Sequence, residues 1–499
     1  MKSDAHRDGL AHARAGRWHQ AIDAYERALR QEGEGAALLF SLGEAAAALG
    51  LTPTATAMFA RCLFLEPGRI DATVRLSEML AIADREAEAI DLLREAASRT
   101  PGEASLWLAL GNVMTRRDDT VNAVTFYEEA LRLRPMDAAA LGNLADIRFD
   151  RGETQAALNL YDKALNIAGK NPQLRLNRAL ALLSLGNVKQ GWRDYEARLQ
   201  IPSRKILRGH SLPRWTGESL RGRRLLVMAE QGIGDQIMFA SCLTGLPEES
   251  LIIECEARLR PIFARSFPKA QVYAAAIAEE AGTIKADYAG MKDLPSARVA
   301  IEIASLPMLV RRQRDDFPSP HAYLRAEEEE TAKWRAWLSA AGSRPKVGIC
   351  WRSGKADGIR AKHYAALHHW AELIRALDAE IINLQYALEE REAQGLAAEA
   401  GKPLLVPPAL DQKHELDRTL GLMNALDLII TAPTAVAAMA ASIGKPVLKL
   451  CAQRPWSHLG GSVDPFAPSS EALWPERQGD WQSLFDAAHS RAAQILAHP

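Results

Sequence analysis

The sequence predicts two architectures in one chain: an all-α repeat solenoid over the first two hundred residues, then an α/β half. Three observations carry this reading. A small apolar residue recurs 34 residues apart at Ala21, Ala55, Ala89, Ala123 and Ala157. From residue 223 onward, short apolar runs alternate with helix-length stretches. Several of those runs end in loops rich in glycine, cations or a Pro-Thr pair, where ligands of parallel sheets sit.

Composition sets the frame for both halves. The 499 residues carry 61 Lys plus Arg against 62 Asp plus Glu, a formal net charge of −1. That balance argues against a general nucleic-acid binder, which needs a basic surface to neutralise phosphates. An apolar share of 48% excludes wholesale disorder. The five cysteines are scattered without a CxxC pair, which fits a reducing compartment better than a disulfide scaffold or zinc ribbon. No apolar stretch approaches the ~20 residues that span a bilayer, and the first residues lack the apolar core of a secretory signal. The expectation is a cytoplasmic protein without a membrane span.

Each repeat reads as two helices. Four residues after the alanine stand Tyr25, Phe59, Leu93, Tyr127 and Tyr161, and three further on Ala28, Cys62, Ala96, Ala130 and Ala164. Upstream, Gly9, Gly43, Ser77, Gly111, Ala145 and Ala179 hold a small-residue position. Gly16, Gly50, Asp84, Asp118, Gly152 and Gly186 mark the turn between helices, and Pro67, Pro101 and Pro135 end three units. Small residues let backbones approach, the aromatic fills the gap, and proline stops the second helix. Packing is the role of these residues, and the pattern resembles the tetratricopeptide repeat (TPR). A sixth unit, 174–199, has decayed: Gly191 replaces the alanine and Arg198 occupies a small-residue slot, as suits a cap. Such arrays bind a peptide or protein on their concave face, and a spacer or dimerisation arm is the plainer alternative.

The predicted domains are a solenoid over 1–200, a linker over 201–222, and two Rossmann-like domains over 223–343 and 344–499 that face a cleft. In the first domain, strands are expected at 224–228, 251–255 and 271–275, with helices over 237–246 and 257–267 and an ambiguous stretch at 287–294. A helix carrying Trp334 and Trp337 bridges to the next unit. In the second, strands are expected at 346–351, 380–386, 404–408, 427–432 and 446–452. Helices fall between them at 363–377, 389–400, 412–425 and 434–443, and a last one spans 481–496. Alternation of this kind implies parallel sheets covered on both faces.

Chemistry belongs to the loops at the strand ends. After 224–228 comes AEQGIGDQIMFA, where Gly232 and Gly234 let backbone approach a ligand and a helix start offers unpaired N–H groups. Asp235 there is either an N-cap or a general base. The spacing lacks the third glycine of a dinucleotide fingerprint, so no NAD site is read. After 346–351 comes RSGKADGIRAKHY. Arg352, Lys355, Arg360 and Lys362 are either a solvated basic loop or a diphosphate clamp, with Ser353 among them and His363 beside them. Thr431 and Thr434 flank Pro433 at a helix start, which is either a capped core helix or a phosphate seat. Gln385 and Tyr386 end a strand in the same cleft, where they could meet a base or ribose.

The ordered series GWRDYEARL (191–199), LLVMAEQGIGDQIMFA (225–240), ECEARLRPIFARSFP (254–268), VGICWRSG (347–354), RAKHY (360–364) and TAPTAVAAMAASIGKPV (431–447) resembles a bacterial family of tetratricopeptide proteins. Their C-terminal half looks like a GT-B glycosyltransferase related to the heptosyltransferases. The resemblance covers nearly the whole chain. It implies metal-independent, inverting transfer from a nucleotide-sugar co-substrate, with no bound cofactor. It places the base at Asp235 and the donor's diphosphate at the basic loop and the Thr434 helix start. The chain departs from the heptosyltransferase pattern at 431–438, where Ala432-Pro433-Thr434 and Ala437-Ala438 replace an Asp-Thr pair and a following His. The donor is therefore not fixed as ADP-heptose. Some proteins of this architecture modify flagellin, which makes a protein Ser/Thr hydroxyl the expected acceptor. Two other readings stay open: an interaction scaffold whose GT-B half is inactive, and a sugar-nucleotide epimerase.

Overall fold

The structure is a computed structural model that describes residues 4–230, 232–280, 283–317, 322–354 and 363–497. The chain forms two compact units, Met1–Arg148 with Asn159–Gly169, and Phe149–Leu158 with Lys170–Pro499.

The first unit is all helical. Its pairs run Asp4–Arg14 with Trp18–Glu32, Ala36–Ala48 with Thr52–Leu65, Ile70–Ile82 with Glu86–Arg99, and Ala104–Arg116 with Thr120–Leu133. Helix Ala138–Asp150 follows. The 34-residue alanines are fully buried, as are Tyr25, Phe59, Leu93, Tyr127 and Tyr161. The small position is sterically required where an aromatic faces it. A Cβ on Gly111 would stand 2.4 Å from the Tyr127 ring, and one on Gly43 would stand 2.7 Å from Phe59. Where the facing residue is Leu93, the chain carries Ser77 instead. All six turn residues, including Asp84 (φ 57°) and Asp118 (φ 59°), adopt the left-handed region.

The second unit combines helices with parallel sheets. Strands β1 (Ile206–Arg208), β2 (Arg224–Met228), β3 (Leu251–Cys255), β4 (Gln271–Ala274), β5 (Ala276–Glu280), β6 (Thr283–Asp287) and β7 (Ala297–Glu302) come first. They are followed by β8 (Lys346–Cys350), β9 (Glu380–Asn383), β10 (Leu404–Leu405), β11 (Leu428–Thr431), β12 (Val447–Leu450) and β13 (Ser470–Leu473). One parallel sheet has the order β4-β3-β2-β7 and the other β10-β9-β8-β11-β12-β13. Renumbered within the second sheet, that order is 3-2-1-4-5-6, which reverses direction between β8 and β11. A small sheet β1-β6-β5 accompanies them. Strands β3, β8, β9, β11 and β12 are buried along their whole length, as sheets covered on both faces require.

The structure adds detail to three expectations. The stretch 201–222 does not run free of the sheets: β1 pairs with β6, and Arg214 bridges to Ala300. The sixth repeat does more than cap the solenoid. Helices Pro172–Ser184 and Val188–Tyr195 share one core with the sheets, where Leu183, Trp192 and Tyr195 pack with Leu225, Phe239 and Phe466. Finally, the helix after β2 begins at Ile233, four residues earlier than its apolar run suggested, and ends at Ala240, six residues earlier.

Candidate functional site

Two short helices meet at the carboxyl ends of β2 and β11. The Ile233 helix (Ile233–Ala240) begins after the glycine turn, and the Ala435 helix (Ala435–Ser442) begins after Pro433-Thr434. The two helices meet at Gly234, where a Cβ would stand in ordinary contact, 3.5 Å from the Ala435 backbone. The two N-termini therefore converge, and each brings unpaired N–H groups and the positive end of its dipole. A cavity of about 420 Å³ opens beside them, lined by Asp235, Tyr323, His363, Thr434, Lys449 and Trp456 among others. A second, of about 740 Å³, lies against the same helix starts and is lined by Gln236, Tyr386, Gln412 and Met439 among others.

Asp235 is not the cap. Gly232 holds that position with φ 65°, and Asp235 sits in the first turn. Its carboxylate makes no hydrogen bond or ion pair among the described residues. A Cβ on Gly232 would stand 2.9 Å from Asp235 Oδ2, so glycine is required by both backbone and space. The carboxyl is exposed toward the cavity, and protein surrounds it otherwise. That desolvation, together with the charge of Glu230, pushes it up to about 6, against the pull of Arg204 and Arg198. Glu230 itself is occupied. Its two oxygens take the Arg198 fork at 2.9 Å each, and one also accepts the Ala304 N–H at 2.9 Å.

The remaining sequence-derived residues divide. Thr434 caps the Ala435 helix, accepting from Val436 N–H at 3.3 Å, and lines the cavity. Thr431 is fully buried and donates to the Ala432 carbonyl at 2.8 Å, so it shapes the turn rather than facing a ligand. Gln385 is also buried. Its Oε1 accepts the N–H groups of Trp351 (3.1 Å) and Arg352 (3.0 Å), and its Nε2 donates to the Tyr386 carbonyl (2.8 Å). It staples the ends of β8 and β9 and has no free oxygen for a base or ribose.

Arg352 departs from the expected clamp. Its guanidinium forms a fork with Glu392, at 2.9 and 2.5 Å, and does not line the cavity. Ser353 accepts from Arg352 through its carbonyl at 3.3 Å. Lys355, Arg360 and Lys362 lie outside the described residues. His363 lines the cavity. Among the described residues, no group of three His, Cys, Asp or Glu side chains converges as a metal site. No helix among them is long and apolar enough to cross a membrane.

Comparison with known proteins bears on both halves. Residues 7–68 and 122–172 match the tetratricopeptide repeat family. Over 485 residues, covering 95% of this chain and 81% of its relative, the sequence is 32% identical to Protein FlbA of Caulobacter vibrioides. The chain belongs to the FlbA family. That kinship with FlbA extends far beyond the repeats, because it spans the sheet-bearing unit as well. Among solved structures, a thermophilic TPR protein of Thermus thermophilus aligns with 37% of this chain and 100% of its own, at 26% identity and a TM-score of 0.33. MamA aligns with 32% of this chain and 95% of its own, at 23% identity and a TM-score of 0.28. The repeats imply protein–protein interaction as one role of this FlbA-family chain.

Sequence reasoning missed Lys449, Asp464, Arg454 and Trp456 on the cavity wall. Lys449 lies inside the apolar run LKL of β12, and the others fall in a stretch without periodicity.

Proposed function

We propose that the sheet-bearing unit is a metal-independent, inverting glycosyltransferase of the GT-B type. It would move a sugar from a nucleotide-sugar donor to a Ser or Thr hydroxyl of a protein that the repeats recruit. The strand orders 3-2-1-4 and 3-2-1-4-5-6 support the twin-domain reading, because ligands of such sheets bind where the order reverses. The observation that carries the proposal is Asp235. A carboxyl that makes no hydrogen bond among the described residues, that burial pushes up to about 6, and that lies at a cavity beside a threonine-capped helix start has the placement and proton affinity of a general base.

In the transfer step, Asp235 takes the hydroxyl proton of the acceptor. The hydroxyl oxygen attacks the anomeric carbon, and the bond from that carbon to the diphosphate oxygen breaks. The leaving diphosphate keeps the electron pair and gathers charge near the Ala435 helix N-terminus. Lys355, Arg360 and Lys362 are proposed to share that charge. Recruitment by the repeats on the same chain raises the local acceptor concentration. Flagellin is the acceptor that the family resemblance points to.

The test is transfer itself. The purified protein is incubated with nucleotide sugars and candidate acceptor, and the acceptor's intact mass is measured. A mass increase that Asp235→Asn abolishes while remaining folded supports the proposal. Full transfer by Asp235→Asn refutes the site. One observation favours a second reading, an interaction scaffold with an inactive sheet unit: Arg352 is committed to Glu392 rather than to the cavity. Failure of CMP, UDP, GDP and ADP alike to raise the melting temperature would select that reading. A ligand at 100 times its Kd stabilises by about 2.7 kcal/mol, which such an assay detects.

A further inference from the structure

On the wall of the 420 Å³ cavity, Lys449 (9% exposed) and Asp464 (5%) are buried, and the fully buried His458 (0%) contacts Lys449 without lining the cavity itself. The transfer step above does not use them. Lys449 comes from β12, and the other two from the segment between β12 and β13. Burying charges is costly unless every group is paired, so a cluster of this kind needs a reason.

The hydrogen bonds define its state. His458 Nδ1 lies 2.8 Å from the Ser462 carbonyl, so that nitrogen carries the proton. His458 Nε2 then presents a lone pair to Lys449 Nζ at 3.0 Å. Burial keeps the ring neutral, with its pKa down to about 4. Asp464 accepts from Lys449 Nζ at 3.3 Å and from Phe466 N–H at 3.0 Å. Among the described residues these are the partners of the Lys449 ammonium. It has three N–H donors, so one remains for the cavity. The cluster as a whole carries one positive and one negative charge. It offers a donor and an acceptor side by side with no net charge.

We infer that Lys449 and Asp464 form a subsite for a vicinal diol, the hydroxyl pair of the donor's sugar ring, with His458 as the residue that positions the lysine. A neutral donor-acceptor pair suits hydroxyls, which both give and take hydrogen bonds. A diphosphate instead calls for an excess of cations. The neighbouring faces of Trp456 and Phe466 also line the cavity and suit the apolar face of a sugar ring. A cavity of 420 Å³ falls within the usual size of a small-ligand site. This inference rests on the glycosyltransferase reading and adds to it which wall reads the sugar.

The test compares binding of free nucleotides with binding of nucleotide sugars. The probes are UDP and UDP-glucose, GDP and GDP-mannose, and ADP and ADP-glucose, titrated by calorimetry. Lys449→Met and the double variant Lys449→Met/Asp464→Asn are compared with the unaltered chain. The double variant removes both charges together, so it remains usable where the single one leaves Asp464 unpaired and fails to fold. The expected result is that the nucleotide sugar loses 10- to 100-fold in affinity, about 1.4–2.7 kcal/mol, while its free nucleotide binds as before. Equal losses for both would make the cluster a phosphate site, and no loss for either would make it structural; either result overturns the inference and leaves the glycosyltransferase reading standing. Binding of no probe by the unaltered chain overturns both. His458→Gln should give a smaller loss in the same direction, for the nucleotide sugar alone.

Discussion

Replacing Asp235 by Asn should change stability in a pH-dependent way that reports the carboxyl's environment directly. In the fold its pKa stands at about 6, against about 3.9 in an unfolded chain. Between those values the folded protein holds a proton there that the unfolded chain has released. The group's contribution to stability is therefore complete below about pH 4, declines as pH rises toward 6, and stays lost above it. The gap between the folded and unfolded values sets a ceiling of about 3 kcal/mol. The side chain is exposed where it lines the cavity, and screening brings the figure to about 1 kcal/mol. Asn does not titrate. The melting temperature of Asp235→Asn relative to the unaltered chain should thus rise by about 1–2 °C between pH 4 and 7 and then level off. Differential scanning fluorimetry in half-unit pH steps reads this. A difference that stays flat or falls over that window would refute the assigned environment. The same pKa limits transfer: at pH 5 only about a tenth of the carboxyl is ionised, so the rate should fall roughly tenfold per unit below pH 6. A rate unchanged down to pH 5 would remove Asp235 as the base.

Other substitutions test the frame around the site. Arg198→Met leaves the half-buried Glu230 without its fork and should cost about 3 kcal/mol, the low end for a broken buried pair, in urea unfolding followed by tryptophan fluorescence, with much of the loss restored by adding Glu230→Gln. Gly111→Ala would gain about 1 kcal/mol from helix propensity if space were free. Its Cβ instead meets the Tyr127 ring, pinned through its hydroxyl to Asn112 (3.0 Å), so thermal unfolding should show a net loss of about 1 kcal/mol. Asp84→Gly and Asp118→Gly should each stabilise by about 0.5–1 kcal/mol, because both aspartates hold positive φ at inter-helix turns. A fragment starting at 149 should stay soluble and monomeric by size exclusion, whereas one starting at 201 should aggregate, having lost Trp192, Tyr195 and Arg198 from the sheet core.

The legible parts of the fold are those set by local contacts or by burial on both faces. Gly111 and Tyr127 are sixteen residues apart, and the same fit recurs at Gly9 with Tyr25 and Gly43 with Phe59, so the period is written plainly in the sequence. Strands β2 and β3 fall where their continuous apolar runs place them, because both faces of each are covered. The strands that escaped reading lack that signal. In β7, Arg298 breaks the apolar run, and β13 reads SEAL at the sheet edge. β5 and β6 belong to a small sheet whose third strand, β1, lies some seventy residues away in a stretch without periodicity. The site divides along the same line. Glycines 232 and 234 and Thr434 mark helix starts and can be read from order alone. The partner that takes Arg352 out of the cavity is Glu392, forty residues on, and no local pattern announces that pairing.

The sixth repeat shows how a decayed motif carries information. Tyr195 keeps the aromatic position and Ala179 the small one, so the helix pair still folds as a repeat. What changed is its outward chemistry. Arg198 stands where earlier units have a small residue, and its guanidinium reaches Ser305 and Glu230, the latter in the turn that leads into the helix carrying Asp235. Trp192 packs against Phe239 of the Ile233 helix and Trp456 of the cavity wall. A repeat that met only another repeat would have no use for a buried arginine or a tryptophan there. Two departures from the 34-residue pattern, Trp192 and Arg198, are thus matched by contacts to the Ile233 helix and to the turn before it. The last repeat is therefore part of the scaffold of the site, and substitutions in it should alter the environment of Asp235 as well as stability.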